Sequence, residues 1–303
     1  MSTRFTLRRN FALIGGISLL ALGALAPSGF AQIAPDRSAL TRFDVVDPAS
    51  RQVIDYRVID QALGSLVVAD GDKSDIRFDV IKGDGERALG SLVEGFASVD
   101  PAELSADEQL AYWLNLRAIL VLRAAAQGYP GRGVDNLLQP GSPFFTNKLV
   151  KVSGVDLSIG DIDAILAKRA ATNPKVVYGL VLPVREAPAF PTVAYRGATV
   201  QAELDRAARA FINRSGTVRA KADTVQVPRF LINHRHWLGE DDAALIGHIR
   251  ALASPKLGQK LSAATRLATD DRVSYNYFIE RSFADRGPAA GTFGGGEGRA
   301  AGS

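Results

Sequence analysis

The chain has 303 residues, no cysteine and a formal net charge of +4. The missing cysteines exclude thiol catalysis, thiolate metal sites and disulfide exchange. Much of the excess positive charge lies in residues 1–31, which hold Arg4, Arg8 and Arg9 and no acid, so the remainder is nearly neutral and gives no reason to expect nucleic acid as a partner.

The amino-terminal segment is typical of an export signal. Arg8 and Arg9 begin an Arg-Arg-Asn-Phe sequence, and an apolar run follows that ends near Ala26. The order basic, apolar, small is that of a secretory signal, and the paired arginines indicate twin-arginine export, with the general route as the alternative. The run is roughly 15 residues long, whereas a membrane span needs about 20. We predict cleavage after Ala31 and a periplasmic or secreted protein with no stable membrane span; the alternative is an uncleaved anchor.

The composition divides the chain into four segments. Residues 1–31 are the export signal, and residues 32–40 are a short leader. Residues 41–285 contain no break long enough for an interdomain linker, which favours one globular domain. Residues 286–303 are rich in glycine and alanine with little apolar surface to bury, which predicts a disordered tail.

The strongest helix signal begins at Ser105. Ser105 and Glu108 have the spacing of a capping box, in which each side chain bonds the other residue's backbone N–H. The helix should run through Leu122 and end at Gly128 and Pro130. Apolar residues occupy most of its circumference, so we expect it to lie deep in the fold.

Shorter elements complete the predicted order. Ser153-Gly154 should turn a hairpin, and Ser158 with Asp161 should cap the following helix. The apolar run from Val176 to Val184 has the length of a strand buried on both faces. The later elements are a helix over residues 202–211, a strand over 224–227, a helix over 242–252 and a strand over 273–279. Together they predict an α+β fold, helix-rich with a small, mostly antiparallel sheet.

The order of these pieces resembles the domain of unknown function 547 family. The most specific part is the acid-capped helix leading into Tyr112-Trp113-Leu114-Asn115-Leu116. Three further blocks are similar to the family: Phe144-Phe145, Val152-Ser153-Gly154-Val155-Asp156-Leu157-Ser158 with Ile162-Asp163, and Tyr275-Asn276-Tyr277. The resemblance extends from Phe43 to about Phe283 and implies a fold and its boundaries, but no particular reaction.

The chain departs from the family pattern at polar positions. Arg117 and Ala118 stand where relatives usually continue with Tyr-Asn, and Val177 falls where a His is common. Leu182 and Ala187 fall where cysteines are common. Each of the last three replacements is apolar, so the resemblance implies that a polar site of the relatives has become packing here.

Asn115 and Arg117 interrupt the apolar helix. A buried amide without partners costs on the order of 1–3 kcal/mol, so Asn115 must find some. It is either a residue of a functional site or the link between this helix and the backbone of a neighbouring loop. Arg117 should extend its guanidinium to solvent or pair with a carboxylate.

His234-Arg235-His236 is the only histidine cluster. On a strand, His234 and His236 would point to one face and could share a metal ion or supply a general base. No third ligand is placed by spacing, and the alternative is a polar turn after Pro228. The chain has no Gly-x-Ser-x-Gly, Walker or Gly-x-Gly-x-x-Gly motif, so no cofactor is predicted.

Two functional hypotheses remain. The first is a non-catalytic exported module that binds a small ligand, a cell-envelope component or a protein, or that has a structural role. The second is a hydrolase or metal-dependent enzyme that uses His234 or His236, with Asn115 orienting the reacting groups. They differ in whether these three side chains converge on one open pocket, because acid–base catalysis requires hydrogen-bond reach.

Overall fold

The computed structural model describes residues 37–70, 73–128 and 141–270. The predicted export signal, most of the leader, the predicted strand over residues 273–279 and the tail lie outside the described residues. Along the described part of the chain, we find no helix with the length and apolar character that a membrane crossing demands.

Most of the described residues lie in helices. The α-helices are α1 Arg37–Leu40, α2 Arg57–Leu66, α3 Phe78–Val80, α4 Glu86–Ala97, α5 Ala106–Gly128, α6 Pro143–Thr146, α7 Ile159–Ala170, α8 Val200–Asn213, α9 Arg229–Asn233, α10 Arg235–Leu238, α11 Asp242–Leu252 and α12 Pro255–Lys260. Short 3-10 helices span Thr41–Asp44, Pro101–Glu103 and Pro174–Gly179, and a π-helical turn spans Ile81–Gly85.

The strands of the described residues form three small sheets. They are β1 Val67–Asp70, β2 Lys73–Ile76, β3 Val150–Val152, β4 Val155–Leu157, β5 Arg219–Lys221, β6 Thr224–Pro228 and β7 Arg266–Asp270. β1–β2 and β3–β4 are antiparallel hairpins, and the third sheet has the order β5-β6-β7 with β6 and β7 parallel. Ser153 and Gly154 have φ of 45° and 86°, as the predicted tight turn requires. The helix-rich α+β class with mostly antiparallel pairing is confirmed.

Helix α5 is the centre of the core. Every residue from Glu108 to Leu122 is buried, and α4, α7 and α8 pack around the helix. An amphipathic surface helix would leave one face in water, whereas this sequence is apolar nearly all round and therefore needs neighbours on every side. The depth predicted from the sequence is confirmed.

The predicted strand over Val176–Val184 is wrong. Pro174 starts a 3-10 helix that ends at Gly179, and irregular chain follows it. The Asn173 side chain accepts a hydrogen bond from the Lys175 N–H and so caps this helix. Val176 to Val181 are fully buried, as expected. An apolar run of this length indicates burial but cannot distinguish a strand from another buried conformation.

The two predicted capping boxes have different outcomes. In α7, Ser158 Oγ accepts from the Asp161 N–H and the Asp161 carboxylate accepts from the Ser158 N–H, so the box is confirmed. In α5, both oxygens of Glu108 instead accept hydrogen bonds from distant backbone. In α5 the acid at the capping-box position therefore makes a tertiary contact.

Candidate functional site

The first buried polar cluster lies at the start of α5. Glu108 Oε1 accepts a hydrogen bond from the Ile54 N–H at 3.0 Å, and Oε2 accepts one from the Gly197 N–H at 3.1 Å. A carboxylate is favoured in the first turn of a helix because it faces the positive end of the macrodipole. Glu108 thus holds the chain before α2 and the chain before α8 against the central helix.

Gly197 packs directly on the backbone of that helix turn. A Cβ at this position would lie 2.9 Å from both the Cα and the N of Glu108. Side-chain carbon does not approach backbone atoms that closely, so a residue with a side chain would push the two segments apart. The glycine is therefore needed for the close approach that brings its N–H to the Glu108 carboxylate.

The Asn115 amide forms two hydrogen bonds with the backbone of one residue. Its Nδ2 donates to the Tyr195 carbonyl and its Oδ1 accepts from the Tyr195 N–H, both at 2.8 Å. The side chain is 1% exposed. This pairing links the loop before α8 to the central helix, which is the structural role considered for Asn115.

Tyr56 completes this cluster. Its ring is buried, and burial together with the Glu108 carboxylate raises the pKa of the Tyr56 hydroxyl. Glu108 and Asn115 both act on the pKa of this hydroxyl, which forms no hydrogen bond within the described part of the chain.

The second buried polar cluster lies on the opposite face of α5. Two residues along a helix turn through about 200°, so Arg117 points away from the side that Asn115 faces. Its guanidinium binds both carboxylate oxygens of Asp163 in α7 and donates to the Val181 carbonyl at 2.7 Å. Arg117 is 2% exposed, so pairing with a carboxylate, one of the two predicted options, is what the structure contains.

His234 lies between α9 and α10, beside this pair. Its Nδ1 is 2.8 Å from the Phe230 carbonyl, and its ring centroid is 4.5 Å from that of Phe230. Burial lowers the pKa of His234 to about 4, while the Phe230 carbonyl and the charge of Asp163 act in the opposite direction. The imidazole is therefore neutral near pH 7, with its proton on Nδ1 toward the carbonyl.

His236 follows His234 by two residues, and both rings pack against Trp237 with 5.5 Å between ring centroids. Both belong to consecutive helical turns, so the strand geometry that would align them is not present. His236 is exposed and packs edge-on against Trp237, at 5.5 Å between ring centroids, and partial burial lowers its pKa.

The three predicted site residues do not meet in one pocket. Asn115 contacts the loop before α8, whereas His234 neighbours the Arg117–Asp163 pair on the other face of α5. Across residues 37–70, 73–128 and 141–270, no group of three or more His, Asp or Glu side chains is arranged to hold a metal ion.

The apolar replacements lie in packed surroundings. Val177 and Ala187 are 0% and 1% exposed. Leu182 and Ala187 border a cavity of about 10 Å³ that Ser74 and Arg214 also line, and a cavity of roughly that size holds one water. Arg214 donates to the Arg185 and Ala187 carbonyls and fixes the turn that forms its wall.

Glu186, in the same turn, was not predicted as a site residue. Its side chain is partly buried, its Oε2 forms no hydrogen bond within the described part of the chain, and burial raises its pKa. A perturbed carboxyl is typical of functional sites but also of structural networks. A single Glu between prolines carries no motif, so the sequence offered no signal for it.

Residues 101–212 match the family model described as "Protein of unknown function, DUF547". The family resemblance is confirmed over this DUF547 segment. The segment contains α5, α7 and most of α8, and with them Glu108, Asn115 and the Arg117–Asp163 pair. The wider extent from Phe43 to Phe283 stays a prediction. No curated protein and no solved structure matches the chain.

Proposed function

We propose that this chain is an exported, non-catalytic module of the DUF547 type with a binding or structural role. The observation that carries the proposal is the use of the buried polar groups in the DUF547 segment. Glu108 and Asn115 hold backbone groups of neighbouring loops, and Arg117 holds Asp163 and a carbonyl. Groups committed to such contacts are not available to bind or transform a substrate.

The proposed partner is a protein or another cell-envelope component. A small ligand remains the third candidate, but the cavity beside Leu182 and Ala187 has a volume of about 10 Å³, whereas pockets for small molecules have about 300–1,000 Å³. The nearly neutral mature chain offers no general attraction for nucleic acid.

Metal analysis of the purified full-length protein tests the non-catalytic proposal. We expect substoichiometric metal in the native protein and the same content in a His234→Gln/His236→Gln double variant. Because neither substitution removes a contact of Glu108, Asn115 or Arg117, the double variant should fold. An equimolar metal ion that is present in the native protein and missing from the double variant would overturn the proposal.

The alternative function is a hydrolase or metal-dependent enzyme that uses His234 or His236. One observation favours it: His234 is neutral at pH 7, its ring is oriented by the Phe230 carbonyl, and a carboxylate lies nearby. That combination is typical of a general base. Loss of a measurable hydrolytic activity in His234→Gln, with retention in His236→Gln, would support this alternative.

Export to the periplasm or beyond the cell is part of the proposal. The support is the basic, apolar and small order of residues 1–31. Cell fractionation with amino-terminal sequencing should find a mature chain that begins at Gln32. Replacing Arg8 and Arg9 together with lysine should retain the precursor in the cytoplasm if export uses the twin-arginine route, and leave export unchanged if it uses the general route.

A further inference from the structure

A tyrosine and a histidine outside the two polar clusters connect the 3-10 helix Pro174–Gly179 to α11. Tyr178 is fully buried, and its hydroxyl is 3.0 Å from Nε2 of the half-buried His248. The two rings lie nearly parallel, with 5.9 Å between centroids and an interplanar angle of 5°. Phe211 of α8 also packs against Tyr178, with 5.9 Å between ring centroids.

We propose that Tyr178 and His248 form a pH-sensitive contact that helps to hold α11 on the core at neutral pH and weakens in acid. We assign the proton of the neutral imidazole to Nδ1, so that the lone pair on Nε2 accepts the phenol proton at 3.0 Å. A protonated imidazole has no lone pair and can only donate. The hydroxyl of the buried Tyr178 would then lose the acceptor of its proton, which is costly in a dry environment.

The charge that acts on His248, among the residues that the structure describes, is Lys175. Burial and this ammonium both lower the pKa of His248. Lys175 is itself paired with Asp205 of α8, which also binds Arg209. Within the described part of the chain no carboxylate acts on the pKa of His248, so protonation works against the docked state.

Two further ion pairs lie on α11 and the elements around it. On α10, Arg235 pairs with Asp242 at the start of α11. In the sheet that packs against α11, Arg219 pairs with Asp270. Neither pair is among the causes that shift the pKa of His248.

The sign of the pH dependence follows from the direction of the pKa shift. Because the pKa of docked His248 is below the ordinary value of 6.5, released α11 binds more protons in the acidic range. Docking is therefore strongest above pH 6.5 and weakens as the pH falls below it. An intact hydrogen bond contributes about 1 kcal/mol, so its loss should raise the opening equilibrium about fivefold.

Hydrogen exchange on the full-length protein tests the contact. We compare the amides of α11 in the native protein and in His248→Gln at pH 7.5 and pH 5. A Gln side chain can accept the phenol proton but does not titrate. Dividing the α11 exchange rate of the native protein by that of His248→Gln at each pH therefore removes the intrinsic pH dependence of exchange. This ratio of exchange rates should rise about fivefold on acidification, because the native protein loses one hydrogen bond and the variant does not. His236→Gln is the matched control and should behave as the native protein does.

Two outcomes would overturn the proposal. The first is an α11 exchange ratio that does not change between pH 7.5 and pH 5. The second comes from NMR titration of the native imidazoles, which does not depend on the folding of any variant: a His248 resonance that titrates at or above its ordinary pKa. Tyr178→Phe keeps the stacked ring and removes the donor, so its α11 should exchange faster at pH 7.5 and respond less to acid.

Discussion

Asn115 and Arg117 are two positions apart on α5 and have separate structural tasks. Asn115 pairs with the backbone of Tyr195, and Arg117 pairs with Asp163 and the Val181 carbonyl. Both side chains are buried, and each forms its hydrogen bonds inside the core. Two polar side chains in an otherwise apolar helix thereby fix the positions of loops on both of its sides.

Arg117→Ala should destabilise the protein strongly. It leaves the Asp163 carboxylate buried without its cation, a loss that typically costs about 3–5 kcal/mol. Urea denaturation at pH 7 measures the free energy of unfolding. The matched control is Arg209→Ala, which breaks the exposed i,i+4 pair with Asp205 and should cost about 0.5 kcal/mol. Similar losses in the two variants would contradict the burial argument.

Acid should destabilise the fold partly through His234. The pKa of His234 is about 4 in the folded protein against an ordinary 6.5, so the unfolded chain binds more protons between these values. Stability is therefore complete above pH 6.5 and falls as the pH decreases toward 4. After allowance for the partial exposure of the ring, the loss should be about 2 kcal/mol.

Urea denaturation from pH 7.5 to pH 4 measures this loss. His234→Gln should flatten the pH dependence of the unfolding free energy between pH 6.5 and 4. His236→Gln, on the exposed side of the next helical turn, should change it less. An unchanged slope in His234→Gln would show that His234 is not held neutral by burial.

At the scale of elements, the start of α5 is the point where three parts of the chain meet. Glu108 bonds the backbone before α2 and the backbone before α8, and Gly197 packs on the helix turn that carries it. The Ser105–Glu108 spacing signalled correctly that a helix begins here. It did not reveal that the acid serves distant N–H groups, because the same carboxylate can bond any donor brought within reach.

Gly197→Ala should disrupt this junction. Its Cβ would lie 2.9 Å from backbone atoms of Glu108, and relieving such overpacking costs about 1–3 kcal/mol. The change in melting temperature measures the effect. Gly247→Ala in α11 is the control, because nothing lies within 4 Å of its added Cβ, and it should stabilise the helix by about 0.5–1 kcal/mol. A neutral Gly197→Ala would contradict the close approach.

At the scale of the molecule, the DUF547 segment is not separated from the chain before it. Gln109 Nε2 donates to the Val45 carbonyl at 2.7 Å, and Tyr112 Oη donates to the Phe96 carbonyl at 2.9 Å. Helix α4 packs along α5, and Ile54 binds Glu108. A core that includes residues on both sides of position 101 should unfold as one cooperative unit.

A fragment of residues 101–212 should therefore fail to fold, since it exposes the surface of α5 that α4 and the π-helical turn Ile81–Gly85 cover. Circular dichroism and the dispersion of NMR amide signals measure this. The full mature chain is the control and should give one unfolding transition whether followed by fluorescence or by circular dichroism. A fragment with native-like dispersion would show that the family match defines an independent domain.

Where apolar periodicity and capping residues agree, the sequence alone determined which segments are helical and buried. It gave the central helix from Ser105, the β3–β4 hairpin at Ser153-Gly154, the capped start of α7 and the span of α11. These are local properties: a capping side chain, a turn with positive φ and a repeating apolar face act over a few residues.

Only the tertiary structure decided what the polar residues do. Whether Asn115 binds a loop or a ligand depends on which backbone lies opposite, and the Val176–Val184 run took a 3-10 and irregular form because burial alone does not select a strand. His234 is likewise separated from Asn115 because it lies beside Arg117, which is on the opposite face of α5. That position depends on where α9 and α10 pack. Contacts between residues far apart in the chain depend on how the elements pack, and that arrangement is not encoded in any short stretch of sequence.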